Sequence, residues 1–123
     1  MTNAESIDRL ANRFFAAVEA ADATTLDEIY TADAVIWHNL DNYEQPRGDN
    51  LALLAQFPTM FKSFKYTEVQ RRFFEHGFVQ QHVVRGVNAI GKVFEIFACL
   101  VVTVRGDQIA RIDEYFDSAQ DPR

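Results

Sequence analysis

Apolar residues near the start of the chain fall at helical spacing. Ile7, Leu10, Ala11, Phe14, Phe15 and Val18 share one side, and Asp8, Arg9, Asn12 and Glu19 take the other. The pattern predicts an amphipathic helix over roughly residues 4 to 20, opened by a Thr2-x-x-Glu5 capping box. Asp22-Ala-Thr-Thr interrupts it, and Thr25-x-x-Glu28 opens a shorter helix that turns Leu26, Ile29 and Tyr30 inward. From Ala34 to Leu40 the period changes to two. Ala34, Ile36, His38 and Leu40 share one face of a predicted strand; Val35, Trp37 and Asn39 share the other. Asp41 to Arg47 reads as a polar loop. Asp49 or Asn50 then caps a third helix carrying Leu51, Leu53, Leu54 and Phe57. Pro58 kinks or interrupts it, and Met60, Phe61 and Phe64 continue its apolar face.

The second half of the chain is rich in strand-forming residues. Lys65 to Phe74 reads as extended, but its alternation is too poor to assign faces. Glu75-His76-Gly77 is a turn. In the strand from Phe78 to Val87, Phe78, Gln80, His82 and Val84 oppose Val79, Gln81, Val83 and Arg85. Asn88 to Gly91 turns into an antiparallel hairpin, Lys92 to Val104 and Gln108 to Asp117, joined by Arg105-Gly106-Asp107. The first arm is apolar at nearly every position and calls for cover on both faces. In the second arm Ala110, Ile112, Glu114 and Phe116 oppose Ile109, Arg111, Asp113, Tyr115 and Asp117. Helices gathered early and strands late predict an α+β fold, in one domain over residues 1–123.

Composition narrows the function classes. A formal net charge of -6, with no basic stripe, argues against an electrostatic nucleic-acid binder. Apolar runs are shorter than a membrane span, and Met1-Thr-Asn-Ala-Glu lacks a signal-peptide pattern, so the expectation is a soluble, cytoplasmic protein. The single cysteine, Cys99, excludes an internal disulfide and sits in an apolar run as a core thiol. Eleven Phe residues against one Trp suggest a large apolar interior or pocket.

Two polar residues stand out because they interrupt apolar strand faces: His38 and Glu114. If both faces meet in one pocket, burial disfavours the charged forms while mutual attraction favours them, leaving a couple able to move protons near neutral pH. The plainer alternative is a structural hydrogen-bonded pair, or Glu114 held by a neighbouring arginine. His82 is a second ligand-contact candidate, set against the reading of a surface or sheet-network histidine. His76 reads as solvated. His38, His76 and His82 lack metal-ligand spacing, so no metal is expected. Tyr30 offers a hydroxyl and Trp37 an indole N–H to a ligand, set against plain core or interface packing; by parity Trp37 points away from His38 toward an outer face or dimer contact, and Phe57, Met60, Phe61 and Phe64 form an apolar wall that is either core or a lid over an apolar ligand. Asp113, Asp117 and Arg111 read as a solvated or interface charge cluster. No nucleophile elbow or phosphate-binding glycine loop is present.

Three stretches together resemble the NTF2-like superfamily, also called SnoaL-like or ketosteroid-isomerase-like. They are Arg13-Phe-Phe-Ala-Ala-Val-Glu-Ala-Ala-Asp22 with Leu26-Asp-Glu-Ile-Tyr30, then Ala32-Asp-Ala-Val-Ile-Trp-His-Asn39, then Gly106-Asp-Gln-Ile-Ala-Arg-Ile-Asp-Glu-Tyr-Phe-Asp117. The resemblance spans essentially the whole chain. It implies helices packed on a strongly bent, mostly antiparallel sheet, a cone with a deep apolar pocket, and often a homodimer formed through the sheet's outer face. The fold hosts isomerases, cyclases, dehydratases, epoxide hydrolases and binding modules.

Carried over residue by residue, the resemblance fits in part. The strand carboxylate that serves ketosteroid isomerases as base matches His38; their helix tyrosine aligns near Phe14; and their protonated aspartate falls in Phe97 to Val104, which holds no acid. Glu114 matches one acid of the limonene-type epoxide hydrolases, but the region around His82 to Arg85 supplies an arginine without the second acid. Glu114 or Asp113 suits the acid of SnoaL-type cyclases. The expectation is a small, cofactor-independent enzyme acting on an apolar molecule by proton shuffling. His38 would be base or acid, Glu114 would assist it, and Tyr30, Phe14, Phe57, Phe61 and His82 would contact the ligand. The alternative is a non-catalytic ligand-binding or protein-interaction module.

Overall fold

The computed structural model describes residues 3–120. Thr2, the first half of the expected capping box, lies outside them. Helix α1 spans Asn3–Glu19 and buries Ile7, Leu10, Ala11, Phe14, Phe15, Ala17 and Val18, the side the periodicity marks. Helix α2 (Ala23–Ile29) starts at Asp22, whose carboxylate accepts hydrogen bonds from the backbone N–H and hydroxyl of Thr25. These bonds hold the Asp22 carboxyl below its ordinary pKa.

The strands are β1 (Tyr30–His38), β2 (Glu44–Pro46), β3 (Phe61–Phe74), β4 (Gly77–Asn88), β5 (Val93–Arg105) and β6 (Gln108–Phe116). They form one sheet in the order β2-β1-β6-β5-β4-β3. β3 to β6 are an antiparallel meander, β1 runs parallel beside β6, and β2 pairs antiparallel on the outside of β1. The α+β expectation therefore holds, with a sheet that is antiparallel except at one junction. α1 and α2 pack on its inner face, where Tyr30, Ala34, Ile36, Phe78, Leu100, Val102, Val104, Ile109 and Ile112 complete the main core. Phe61, Val84 and Phe94 form a second cluster at the far end.

Several boundaries differ from the sequence reading, each for a local reason. β1 begins at Tyr30, directly after α2, so Tyr30 is a strand residue. The loop after β1 contains the three-residue β2, too short to carry a periodic signal. Helix α3 (Arg47–Ala55) is preceded by Pro46 and has no side-chain cap; Asn50, expected as a cap, is buried inside it. Pro58 does interrupt the helical run, within a single turn, α4 (Phe57–Met60). Phe61 and Phe64 then belong to strand β3, not to a continued helix.

The poor alternation of β3 has a definite cause. Between Thr67 and Gln70 the register shifts, and Glu68 takes a positive φ of 51°. This bulge resets the parity, so Tyr66 pairs with Val84 and Arg71 with Gln80, both inner-face positions of β4. A second bulge, between Thr103 and Val104, lets Ile109 enter the core fully buried, although strict alternation assigns it to the polar face. Gly106 turns the β5–β6 hairpin at a φ of 65°, and Gly86 lets β3 approach closely: a Cβ there would lie 2.1 Å from the Ser63 carbonyl oxygen.

The expected double cover of β5 is half present. Phe94, Leu100, Val102 and Val104 are buried, whereas Val93 and Phe97 on the other face are exposed. Trp37 and Tyr115 share that outer face, with ring centroids 5.2 Å apart. Arg111 pairs there with Asp113 and Glu44, which agrees with the expected charge cluster. Among the described residues, no helix is long and apolar enough to cross a membrane.

Candidate functional site

A cavity of about 260 Å³ lies between the inner face of the sheet and the segment from α3 to β3. Its wall is largely apolar: Phe14 and Val18 from α1, Ile36 from β1, Leu53, Leu54 and Phe57 from α3 and α4, Phe61 and Phe64 from β3, and Leu100 and Ile112 from β5 and β6. Leu40, Asp41 and Tyr43 line it from the exposed β1–β2 connection. Side chains from β1 and from β3, far apart in the strand order, meet in this one hollow, so the sheet is bent around it.

His38 and Glu114 are both in the lining. The parallel register of β1 on β6 sets them directly opposite each other, and the Asn39 N–H donates to the Glu114 backbone carbonyl at 3.1 Å to close the pairing. His38 Nε2 stands 2.8 Å from Glu114 Oε1, with 27% and 24% of the two side chains exposed. Asp113, one residue earlier, turns outward to Arg111. Glu114, not Asp113, is therefore the acid on the cavity side. The geometry brings together an imidazole and a carboxylate in a mostly apolar enclosure, where proton transfer to or from an adjacent molecule is chemically feasible.

Of the expected ligand contacts, Phe14, Tyr30, Phe57 and Phe61 line the cavity. Tyr30 does so with its hydroxyl already committed. The Tyr30 O–H donates to Asn50 Oδ1 at 2.7 Å, and Asn50 Nδ2 donates to Gln45 Oε1 at 3.1 Å. Burial pushes the Tyr30 phenol up from its ordinary pKa. Tyr30→Phe should accordingly act on stability more than on ligand contact. It strands a buried amide oxygen, at a cost of about 1–2 kcal/mol measurable by urea unfolding.

His82 is not in the cavity lining, and the surface reading is corrected: it is 3% exposed. Its ring packs against Phe15 and Tyr66. Its Nδ1 lies 2.9 Å from Gln80 Nε2. Arg71 Nε donates to Gln80 Oε1, and Arg71 Nη1 donates to Asp8 and Asn12. Since Gln80 spends its oxygen on Arg71, its amide N–H₂ donates to His82 Nδ1, which puts the neutral ring's proton on Nε2. That nitrogen is buried without a partner among the described residues. Burial, with Arg71 adding to it and Glu114 opposing, lowers the His82 pKa to about 4.

Sequence reasoning missed Tyr66 and Gln45, both in the lining. Tyr66 was hidden by the β3 bulge and Gln45 by the brevity of β2. Among the described residues, no three His, Cys, Asp or Glu side chains are grouped to hold a metal ion.

Known proteins with this architecture are numerous. A candidate polyketide cyclase of Xanthomonas campestris pv. campestris superposes with a TM-score of 0.82 at 18% identity, over 97% of this chain and 98% of its own. An epoxide hydrolase of M. tuberculosis, of the LEH-like type, gives 0.80 at 17% identity, over 95% and 86%. An NTF2-like protein of Burkholderia xenovorans LB400 gives 0.78 at 20% identity, over 94% and 92%. Likeness at such identities shows the fold alone. No curated protein matches the sequence. The family model of the SnoaL-like domain matches residues 11–112, most of the chain, and this protein belongs to that family.

Proposed function

We propose that this protein is a small, cofactor-independent enzyme that moves a proton on an apolar molecule held in the cavity, in an isomerisation, cyclisation or dehydration. One observation carries the reading: the 2.8 Å contact between His38 Nε2 and Glu114 Oε1 within an otherwise apolar wall. His38 fixes one carboxylate oxygen, and the couple takes a proton from a substrate carbon and returns it at a nearby atom. A bound apolar molecule would shield the couple from water, which would strengthen its electrostatic effect on a developing charge. At about 260 Å³ the cavity falls just below the usual size range for small-molecule sites, which suits a compact substrate. Similar folds in proteins described as a candidate polyketide cyclase and an epoxide hydrolase are compatible with it.

The test is hydrogen–deuterium exchange. A panel of compact cyclic ketones is incubated with the protein in D₂O, and exchange beside the carbonyl is followed by NMR. Exchange above the buffer rate supports the enzyme. Binding without exchange supports the second reading, a ligand-binding module. That alternative draws on the strand Phe97 to Val104, which lacks the acid found in ketosteroid isomerases.

We also propose that the protein is a homodimer joined through the outer face of the sheet. Phe97 and Tyr115 are 58% and 47% exposed there, beside Trp37 and Val101. A second copy would supply the cover that one chain does not give β5. Sedimentation equilibrium should give twice the chain mass, and Phe97→Asp should give the single-chain mass; a wild-type monomer would reject the assignment.

A further inference from the structure

A chain of hydrogen bonds runs from the core to the cavity wall and ends on Gln45. Its direction is set at Tyr30. The buried Tyr30 phenol has one proton to give, and Asn50 Oδ1 receives it at 2.7 Å. Asn50, itself buried near the start of α3, must then turn its amide nitrogen the other way, and Asn50 Nδ2 donates to Gln45 Oε1 at 3.1 Å. Gln45 lies on β2 opposite Ile36 of β1, one residue after Glu44, whose carboxylate accepts from Arg111 on the outer face. Alternation therefore turns Gln45 inward, and its side chain lines the cavity. With the amide oxygen committed to Asn50, the end of Gln45 left for the cavity is its N–H₂ group. A tether between β2 and α3 does not explain that choice of end group. A glutamate would accept the same bond from Asn50, but it would add another carboxylate to a wall that already holds Asp41 and Glu114. Glutamine instead sets two donors there, on the strand beside the one that carries His38.

We propose that Gln45 is a specificity-determining residue of the cavity: its amide N–H₂ group selects a compact, neutral ligand that carries an acceptor oxygen on the β2 side, in preference to the matching hydrocarbon. This rests on the cavity being the ligand site, and it adds the polar group by which the ligand is recognised. It is independent of whether the His38–Glu114 couple moves a proton. The amide suits selection for two reasons. It does not titrate, so its preference holds whichever protonation state the couple is in. It is also aimed before the ligand arrives, because Asn50 holds its oxygen and Tyr30 holds Asn50; a donor fixed in advance loses little conformational freedom on binding. The frame around it is tied on both sides. β2 pairs with β1 from Val35 to Trp37, and Arg47, at the start of α3, donates to the Asp27 carboxylate at 2.6 Å and to the Asp27 backbone carbonyl at 2.8 Å. A hydrocarbon seated against the N–H₂ group strips it of water and returns no acceptor, so it binds less tightly than the ligand that supplies one.

The probes are 1-indanone, its hydrocarbon counterpart indane and the cation 1-aminoindane, titrated into the full chain, Gln45→Met and Gln45→Glu. The wild type should bind 1-indanone about three- to tenfold more tightly than indane. 1-Indanone should also shift the Gln45 side-chain N–H proton signals downfield, which indane should not do. Methionine keeps the length of the side chain and removes both donors, so 1-indanone should fall to the affinity of indane while indane itself is unchanged. Glutamate keeps an acceptor for Asn50, so the chain and the fold should persist, and it replaces the donor end by an acceptor. 1-Indanone should then weaken and 1-aminoindane tighten by a similar factor. A ketone preference that survives both substitutions, or equal binding of 1-indanone and indane by the wild type, would overturn this proposal and leave the cavity as the ligand site. Failure of the wild type to bind any of the three probes would overturn it together with the ligand-site reading. Loss of the ketone preference in the variants, with no exchange catalysed by the wild type, would uphold Gln45 as the selecting group while the enzymatic reading fails.

Discussion

Glu114→Gln is expected to slow catalysed proton exchange by about 10²- to 10⁴-fold, the usual range for losing a positioned acid or base. Glutamine keeps the length and shape of the side chain and can still meet His38, so the cavity should persist; it cannot accept a proton at this position. His38→Ala should produce a loss of the same order, because the 2.8 Å contact makes the two side chains one unit. The double variant should then be little slower than either single one, as expected for groups that act together. Glu114→Asp draws the carboxylate back by one methylene and should lose most of the rate, since a misplaced base loses its reach. Asp113→Asn is the control: Asp113 is adjacent in sequence but bonds Arg111 on the outer face. Its exchange rate should stay within a factor of about two to three of the wild type. The measurement is the NMR exchange assay on whichever ketone the wild type turns over. If Glu114→Gln exchanges at the wild-type rate, the couple is not the base.

How far the site is legible in the sequence depends on where the strands stay regular. His38 and Glu114 stand out as polar breaks in apolar faces, and parity counts correctly there because β1 and β6 pair without irregularity from Val35 to His38. Trp37 and Asp113, one residue earlier on each strand, fall outward by the same count. The count fails at bulges. Ile109 reads as a polar-face residue and is buried, because one extra residue of β6 is accommodated opposite β5. Tyr66 could not be assigned a face, because no alternation rule survives the shift at Glu68. The junction after Pro58 shows a different limit. Phe57, Met60, Phe61 and Phe64 share a helical spacing by accident of composition, and only the turn of α4 shows that the last two belong to a strand. Tyr30 reads as a ligand contact through its hydroxyl, yet Asn50, twenty residues away, claims that hydroxyl. Such a pairing arises from tertiary contact and leaves no mark in local pattern.

The buried histidine makes a prediction about stability that is independent of any substrate. His82 is neutral in the folded chain down to about pH 4, whereas an exposed histidine in the unfolded chain protonates near 6.5. Between those values the unfolded state binds the extra proton, so stability rises with pH across this window. The contribution is complete above pH 6.5 and is lost as pH falls toward 4. Between pH 7 and pH 4.5 it amounts to about 2.5 kcal/mol, a large share of the stability of a small domain. Desolvation is the main cause, and the network behind the ring adds to it: Gln80 occupies Nδ1, and Arg71 places a positive charge close by. A second proton would have to displace the Gln80 amide and enter a site with no acceptor for it. His82→Gln isolates the effect, because glutamine offers Gln80 an oxygen acceptor and does not titrate. Urea unfolding at pH 7 and pH 4.5 should show a stability loss about 2–3 kcal/mol smaller in the variant than in the wild type. A matching loss in both proteins would mean that acid lability arises at carboxylates and that His82 titrates alike in the two states.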